Sequence, residues 1–177
     1  MADSPYRTIT DWRQLDSAAG EAIRAFWIHE DANVAGEEAD RRLSQVVAHV
    51  EDAEGRVAAV ATALPQLSVR LGQPMYYYRC FVGRAWRGRN LSRALLRHTQ
   101  KVLEAYAHDH DFPCLGILLE LENAGFARAL QSPHWRSTGF TYIGKSVRGL
   151  DLRVWYFPGA RLKTPQELQA LRAPDGK

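Results

Sequence analysis

A chain of 177 residues, 46% apolar and 24% charged, is one domain of ordinary size and composition for a globular protein. At that length folding buries about two-thirds of the unfolded surface, so neither a disulfide nor a structural metal is required. The formal charge of +3, from 23 basic against 20 acidic residues, predicts a weak anion preference and no nucleic-acid footprint, because Lys and Arg cluster in one loop only.

Tyr6 to Thr10 alternates weakly and predicts a short first strand. Asp11 with Gln14 three residues on resembles a capping box that opens a helix through about His29, with Leu15, Ala18, Ala22, Ala25 and Phe26 on one face. Ala32 to Gly36 breaks the pattern, and a shorter helix is expected from about Glu37 to Gln45. From Val46 the period changes. Val46 to Glu51 and Arg56 to Leu64 read as strands joined by Asp52-Ala53-Glu54-Gly55, a hairpin turn with Gly where a positive φ is needed. Pro65 and Gly72-Gln73-Pro74 bracket a looser connection before a strong strand, Met75 to Val82.

A polar loop from Gly83 to Asn90 leads into a long helix, about Leu91 to Ala107, with Leu91, Ala94, Leu95, His98, Val102 and Ala105 expected to face inward. Cys114 to Leu121 predicts a buried strand, Ala124 to Leu130 a short helix, and Phe140 to Ser146 with Leu150 to Phe157 a hairpin across Val147-Arg148-Gly149. Beyond Pro158 the tail holds one short helix, capped by Thr164, with Pro165 in its first position and Glu167 completing the box. The resulting order is β-α-α-β-β-β-α-β-α-β-β, with residues 1–158 as a single domain and 159–177 as a tail. Cys80 and Cys114 both sit in apolar strand-like runs, which predicts buried free thiols and a reducing compartment. No apolar run approaches the ~20 residues of a membrane span and Met1 to Tyr6 carries no leader pattern, so the cytoplasm is the expected location and no membrane partner is expected.

Chemistry concentrates where the strand Tyr77 to Val82 passes through an Arg- and Gly-rich loop into the long helix. A helix N-terminus offers several free backbone N–H groups and about half a positive charge, which suits a pyrophosphate. Gly88 lets the backbone approach an anion, and Arg84, Arg87 and Arg89 add positive field.

The stretch Val82 to Leu96 resembles the acyl-CoA loop of the GCN5-related N-acetyltransferase (GNAT) superfamily, usually R/Q-x-x-G-x-G/A after a strand ending in Val. Arg87 takes the first place; Asn90 stands where the family has Gly, and Ser92 where it has Gly or Ala. Asn tolerates a left-handed backbone and Ser is small, so both departures are compatible with the loop. Glu122-Asn123 after a buried strand resembles the family's block whose Asn contacts the pantetheine arm, and Gly139-Phe140 resembles the turn before its final hairpin. The resemblance runs from about residue 6 to residue 158. It implies an α/β (α+β) fold: a mixed, mostly antiparallel central sheet flanked by helices, with central strands splayed into an acyl-CoA cleft. It also implies acetyl-CoA or another acyl-CoA as co-substrate, no metal, and an amine acceptor of small-molecule or peptide type; a homodimer stays open. The cofactor residues implied are Phe81, Val82, Arg84, Arg87, Gly88, Arg89, Asn90, Leu91, Ser92 and Asn123.

For catalysis, Glu120 and Glu122 lie two apart on a strand and share a face. A carboxylate at the end of an apolar strand is expected to have a raised pKa and to act as base, with Glu120 preferred because it lies deeper. Many GNAT members place a Tyr acid four residues before the Gly-Phe turn; that position is Trp135 here. His134, Tyr142 and Tyr156 are the alternatives, with Tyr142 carried forward. Tyr76, Tyr77 and Tyr78 alternate faces; core packing is the commoner use of such a run, and a place lining the acceptor pocket is the alternative. Trp27, His29, Glu30 and Asp31 lie where substrate-gating helices of the family run. His108-Asp109-His110-Asp111 has no common zinc spacing and reads as a solvated helix end. The alternative to an enzyme is a non-catalytic acyl-CoA-binding module or sensor, motivated by Trp135 and Asn90.

Overall fold

The structure is a computed structural model that describes residues 5–32, 34, 36–123 and 130–172. Its strands are β1 (Arg7–Thr10), β2 (Val46–Glu51), β3 (Val57–Ser68), β4 (Gln73–Val82), β5 (Gly116–Glu120), β6 (His134–Trp135), β7 (Phe140–Lys145) and β8 (Asp151–Tyr156). Its helices are α1 (Ser17–His29), α2 (Gly36–Leu43), α3 (Leu91–Asp109) and α4 (Pro165–Arg172), with a 3-10 turn at Arg84–Trp86. The strands follow the order β1-β2-β3-β4-β5-β8-β7-β6 in one sheet, and β1–β2, β2–β3, β5–β8, β6–β7 and β7–β8 pair antiparallel. Among the described residues no helix is long and apolar enough to cross a membrane.

The chain forms two compact units. The first comprises Met1–Leu64 and Tyr78–Tyr106. Its core joins Ile23, Phe26 and Trp27 of α1 to Val46, Val57 and Val60 of the sheet, with Phe81 and Trp86 packed at the margin. The side chain of Asp16, not Asp11, starts α1: its Oδ1 accepts from the Ala19 amide at 2.8 Å. Asp11 is buried instead, against His49 Nδ1 at 2.7 Å, so a residue that looks like a cap is committed to a partner 38 positions away. The β2–β3 turn forms as its composition predicts. Gly55 takes φ +77°, and Asp52 Oδ1 accepts from the amides of Glu54 and Arg56 at 3.1 and 2.9 Å.

Two expectations shift. β3 continues through Pro65 to Ser68, since proline removes one donor but keeps an extended φ. The buried face of α3 is made by Leu91, Leu95, Leu96, Thr99, Gln100, Leu103 and Ala107, whereas Ala94 and Ala105 are exposed. Bulk decides that face: four leucines bury far more surface than two alanines.

The second unit comprises Pro65–Tyr77 and Ala107–Lys177. Met75, Leu115, Leu118, Leu152 and Val154 form its core, and Tyr76 stacks on Phe112 at 5.6 Å between ring centres. A Cβ on Gly116 would fall 2.2 Å from the Trp155 carbonyl oxygen, so only glycine allows β5 and β8 to lie that close. β6 is a two-residue strand that sequence periodicity does not announce. The expected helix at 124–130 lies almost wholly outside the described residues. The tail helix forms as expected, with Thr164 N donating to Glu167 Oε2 at 2.6 Å and Glu167 N donating to Thr164 Oγ1 at 3.3 Å.

Candidate functional site

In the first unit, β4 ends at Val82 and the chain crosses Gly83 before the 3-10 turn. A Cβ on Gly83 would lie 2.7 Å from the Trp86 ring and 2.9 Å from that of Phe26, so glycine is what lets the loop fold back onto the core. Gly88 takes φ +76° and Asn90 takes φ +60°: Asn90 adopts the left-handed backbone expected of the glycine it replaces. These two residues turn the chain into α3, whose first turn carries no acidic residue. The junction thus sets the N–H groups of a helix N-terminus just past the loop, with Leu91 buried and Ser92 half-buried, an arrangement an anion fits.

The arginines of this loop differ. The backbone N–H of Arg84 donates to Glu30 Oε2 at 2.8 Å, and its guanidinium reaches Glu30 O at 3.2 Å and Asp31 Oδ2 at 2.9 Å. Its charge is largely compensated, so Arg84 anchors the loop to the end of α1. Arg87 is exposed and makes a 3.4 Å contact from Nε to Val82 O. Arg89 is exposed with no ion-pair partner among the described residues. Glu30 serves this anchor and Trp27 is 2% exposed in the core, which removes both from the residues available to an acceptor.

In the second unit, Glu120 closes β5, its side chain only 7% exposed. It accepts from the Tyr77 hydroxyl at 2.5 Å and from Arg148 Nη2 at 2.7 Å. The same guanidinium donates to Glu122 Oε1 at 2.5 Å, so one cation bridges both carboxylates. Burial alone raises the Glu120 pKa, but the hydrogen bonds of Arg148, Ser146 and Tyr77 outweigh it and hold the carboxyl below its ordinary value. The upward shift expected from an apolar strand end is therefore overturned, because the β7–β8 turn delivers a guanidinium to it. The pair with Glu120 and Glu122 in turn holds Arg148 firmly charged.

The remaining candidates are dispersed over the same unit. Tyr142 on β7 is 38% exposed, its ring 5.9 Å from the Arg153 guanidinium. His134 Nδ1 lies 3.0 Å from Thr141 Oγ1, and Tyr156 is exposed at the end of β8. Trp135 donates Nε1–H to Leu130 O at 3.2 Å and stacks over Arg153 at 4.1 Å. Tyr76 and Tyr78 are buried, leaving Tyr77 as the member of that run bonded to a candidate carboxylate. Asn123 is exposed just past β5. Sequence reasoning misses Arg148 and Arg153. Arg153, 2% exposed, donates to the carbonyls of Leu130 and Ser132, each at 2.9 Å. A lone Arg on an apolar strand is the only local signal, and it does not name a partner.

Cys80 and Cys114 are both free, half-buried and buried respectively. Burial pushes their thiols up to about 11 and about 12, which makes them poor nucleophiles.

No family model and no curated protein matches the sequence. Solved structures do match. An acetyltransferase of the GNAT family from Streptococcus pneumoniae aligns over 86% of this chain and 99% of its own, with TM-score 0.59 and 12% identity. A ribosomal-protein-S5-alanine acetyltransferase from Vibrio fischeri aligns over 89% and 96%, with TM-score 0.58 and 11% identity. The structure of yncA from Salmonella typhimurium with its cofactor acetyl-CoA aligns over 92% and 99%, with TM-score 0.57 and 17% identity. At such identities the likeness is one of architecture, and on that ground the chain has the fold of the GNAT acetyltransferases.

Proposed function

We propose that this chain is an acyl-CoA-dependent N-acyltransferase that moves an acetyl or other short acyl group to a primary amine of a small molecule or peptide. The observation that carries the reading is the β4–α3 junction, where left-handed Gly88 and Asn90 precede a helix N-terminus whose first turn carries no acidic residue and which Arg87 and Arg89 flank in sequence. In this reading the amides of Leu91 and Ser92 receive the diphosphate, and Phe81 and Val82 offer backbone groups to the pantetheine arm as an added strand would. Asn123 is proposed to contact that arm as well.

The amine nitrogen attacks the thioester carbonyl carbon, the C–S bond breaks, and the CoA thiolate leaves; the proton shed by the amine goes to a base. Positioning supplies most of the acceleration, and backbone N–H groups stabilise the oxyanion. Glu120 is the proposed base, directly or through water, with Glu122 attracting the incoming ammonium. The Arg148 guanidinium favours the Glu120 anion and so weakens it as a proton acceptor. Tyr142 is the proposed acid, a modest requirement since a thiolate leaves readily.

That same Arg148–Glu120 pair favours a second reading, an acyl-CoA-binding module without turnover. Release of free CoA thiol from acetyl-CoA across a panel of primary amines separates the two. Amine-dependent release supports the enzyme; saturable CoA binding with no release across the panel supports the module.

A further inference from the structure

The outer face of α3 carries charge that helix stability does not call for. Arg93, Arg97 and Lys101 are all exposed and stand four residues apart, so they line one face over about 12 Å of axis and about 80° of arc. Arg89, also exposed, stands before the first turn, beside the junction proposed for acyl-CoA. Among the described residues none of these four has an ion-pair partner. Within α3 the i,i+4 steps from Arg93 to Arg97 and from Arg97 to Lys101 set like charge against like charge, which costs a helix about 0.2–0.5 kcal/mol per pair. Arg93 also sits in the first turn, where the macrodipole favours carboxylates.

The wider sequence points the same way. Between Glu54 and Glu104 there is no Asp or Glu, while nine of the 23 Lys and Arg fall there. With +3 overall, the rest of the chain is net acidic. Three of those nine, Arg93, Arg97 and Lys101, fall on α3 at a spacing of four, which places them on one face of the helix.

We propose that this face docks the phosphate backbone of a double-stranded nucleic acid, an interaction distinct from acyl-CoA binding and independent of whether the chain turns over. A duplex presents one negative charge about every 1.7 Å of axis, a continuous track for a linear row of cations. Two of the three in the row are Arg, whose planar fork suits phosphate oxygens. A single strand is a poorer fit, since among the described residues of α3 no exposed aromatic side chain accompanies the row for bases to stack on. A membrane surface is a poorer fit too. Leu91, Leu95, Leu96 and Leu103 are buried, so no apolar flank remains to enter the headgroup layer. Arg97 and Lys101 lie about 6 and 12 Å along the helix axis past Arg93, away from the turn that would hold the cofactor's diphosphate.

The test is fluorescence anisotropy of the full chain with labelled duplex RNA and duplex DNA of about two helical turns, as a function of salt, alongside calorimetry with CoA. Expected is binding to at least one duplex, with a log–log salt slope of about −2 to −3 for the three phosphates that Arg93, Arg97 and Lys101 would neutralise. Arg97→Glu/Lys101→Glu should weaken it at least tenfold while leaving CoA affinity and the thermal midpoint within error; Arg97→Gln/Lys101→Gln should weaken it less. The proposal is overturned by no duplex binding at low salt, by equal binding of the wild type and the reversed variant, by tighter binding to a single strand of the same length or to phosphatidylserine vesicles, or by a parallel loss of CoA affinity, which would assign the row to the cofactor.

Discussion

At the scale of single residues the decisive contest is over Glu120. Its burial favours the neutral acid, yet Arg148, Ser146 and Tyr77 together favour the anion, and they prevail. Removing Arg148 leaves burial with weaker opposition. In Arg148→Gln the Glu120 pKa should rise, moving the acid limb of the pH–rate profile upward, while CoA affinity stays within twofold. Glu120→Gln should lower kcat at least tenfold with the same CoA affinity; retention of the wild-type pH–rate profile in that variant would remove Glu120 as base. Asn90 poses a simpler question. Its φ of +60° is strained for a residue with a Cβ and no local polar compensation, so Asn90→Ala should lose about 1 kcal/mol while Asn90→Gly stays near neutral. Urea denaturation of the two variants measures the difference.

At the scale of elements, tight packing at the β4–α3 junction makes a further prediction. Gly83→Ala forces a Cβ into the Trp86 and Phe26 rings, and should cost about 1–3 kcal/mol through displaced side chains. A melting temperature equal to the wild type would show that the loop is looser than its geometry implies. The same region explains what a sequence reveals. The junction is legible because a Gly and an Asn before a long apolar-periodic helix act through local backbone preferences. The Thr164–Glu167 box and the Asp52–Gly55 turn are legible for the same reason. The start of α1 is not, because Asp11 and Asp16 both look like caps and only the pairing of Asp11 with His49 decides between them. Nor is Arg148 placed on Glu120 by any local rule. That meeting follows from β8 pairing with both β5 and β7, as Leu152 opposite both Glu120 and Gly144 records, and strand order is a long-range property. β6 and the face of α3 escape for related reasons: a two-residue strand has no period, and leucines out-compete alanines for burial.

At the scale of the whole molecule, a buried histidine couples stability to pH. His49 is 2% exposed; burial lowers its pKa, but hydrogen bonds and charge from Asp11 and Glu51 raise it further, and the net shift is upward. A group raised on folding contributes stability that is complete below its unfolded pKa, about 6.5, and is lost as pH climbs through the folded value. His98 opposes this, since burial and Lys101 lower its pKa. The useful quantity is therefore a difference. The stability gap between wild type and His49→Gln should be largest below about pH 6.5 and shrink at higher pH, as read by denaturant titration across that range. A gap independent of pH would mean that His49 does not titrate within the fold.

Acyl-CoA recognition by the turn into α3 underlies the proposed reaction, and calorimetric titration of CoA into the wild type and Arg87→Glu examines it most directly. Saturable binding to the wild type is predicted, weakened at least tenfold, about 1.4 kcal/mol, by the reversed charge. No binding to the wild type at millimolar CoA, or equal affinity in the two proteins, would contradict it.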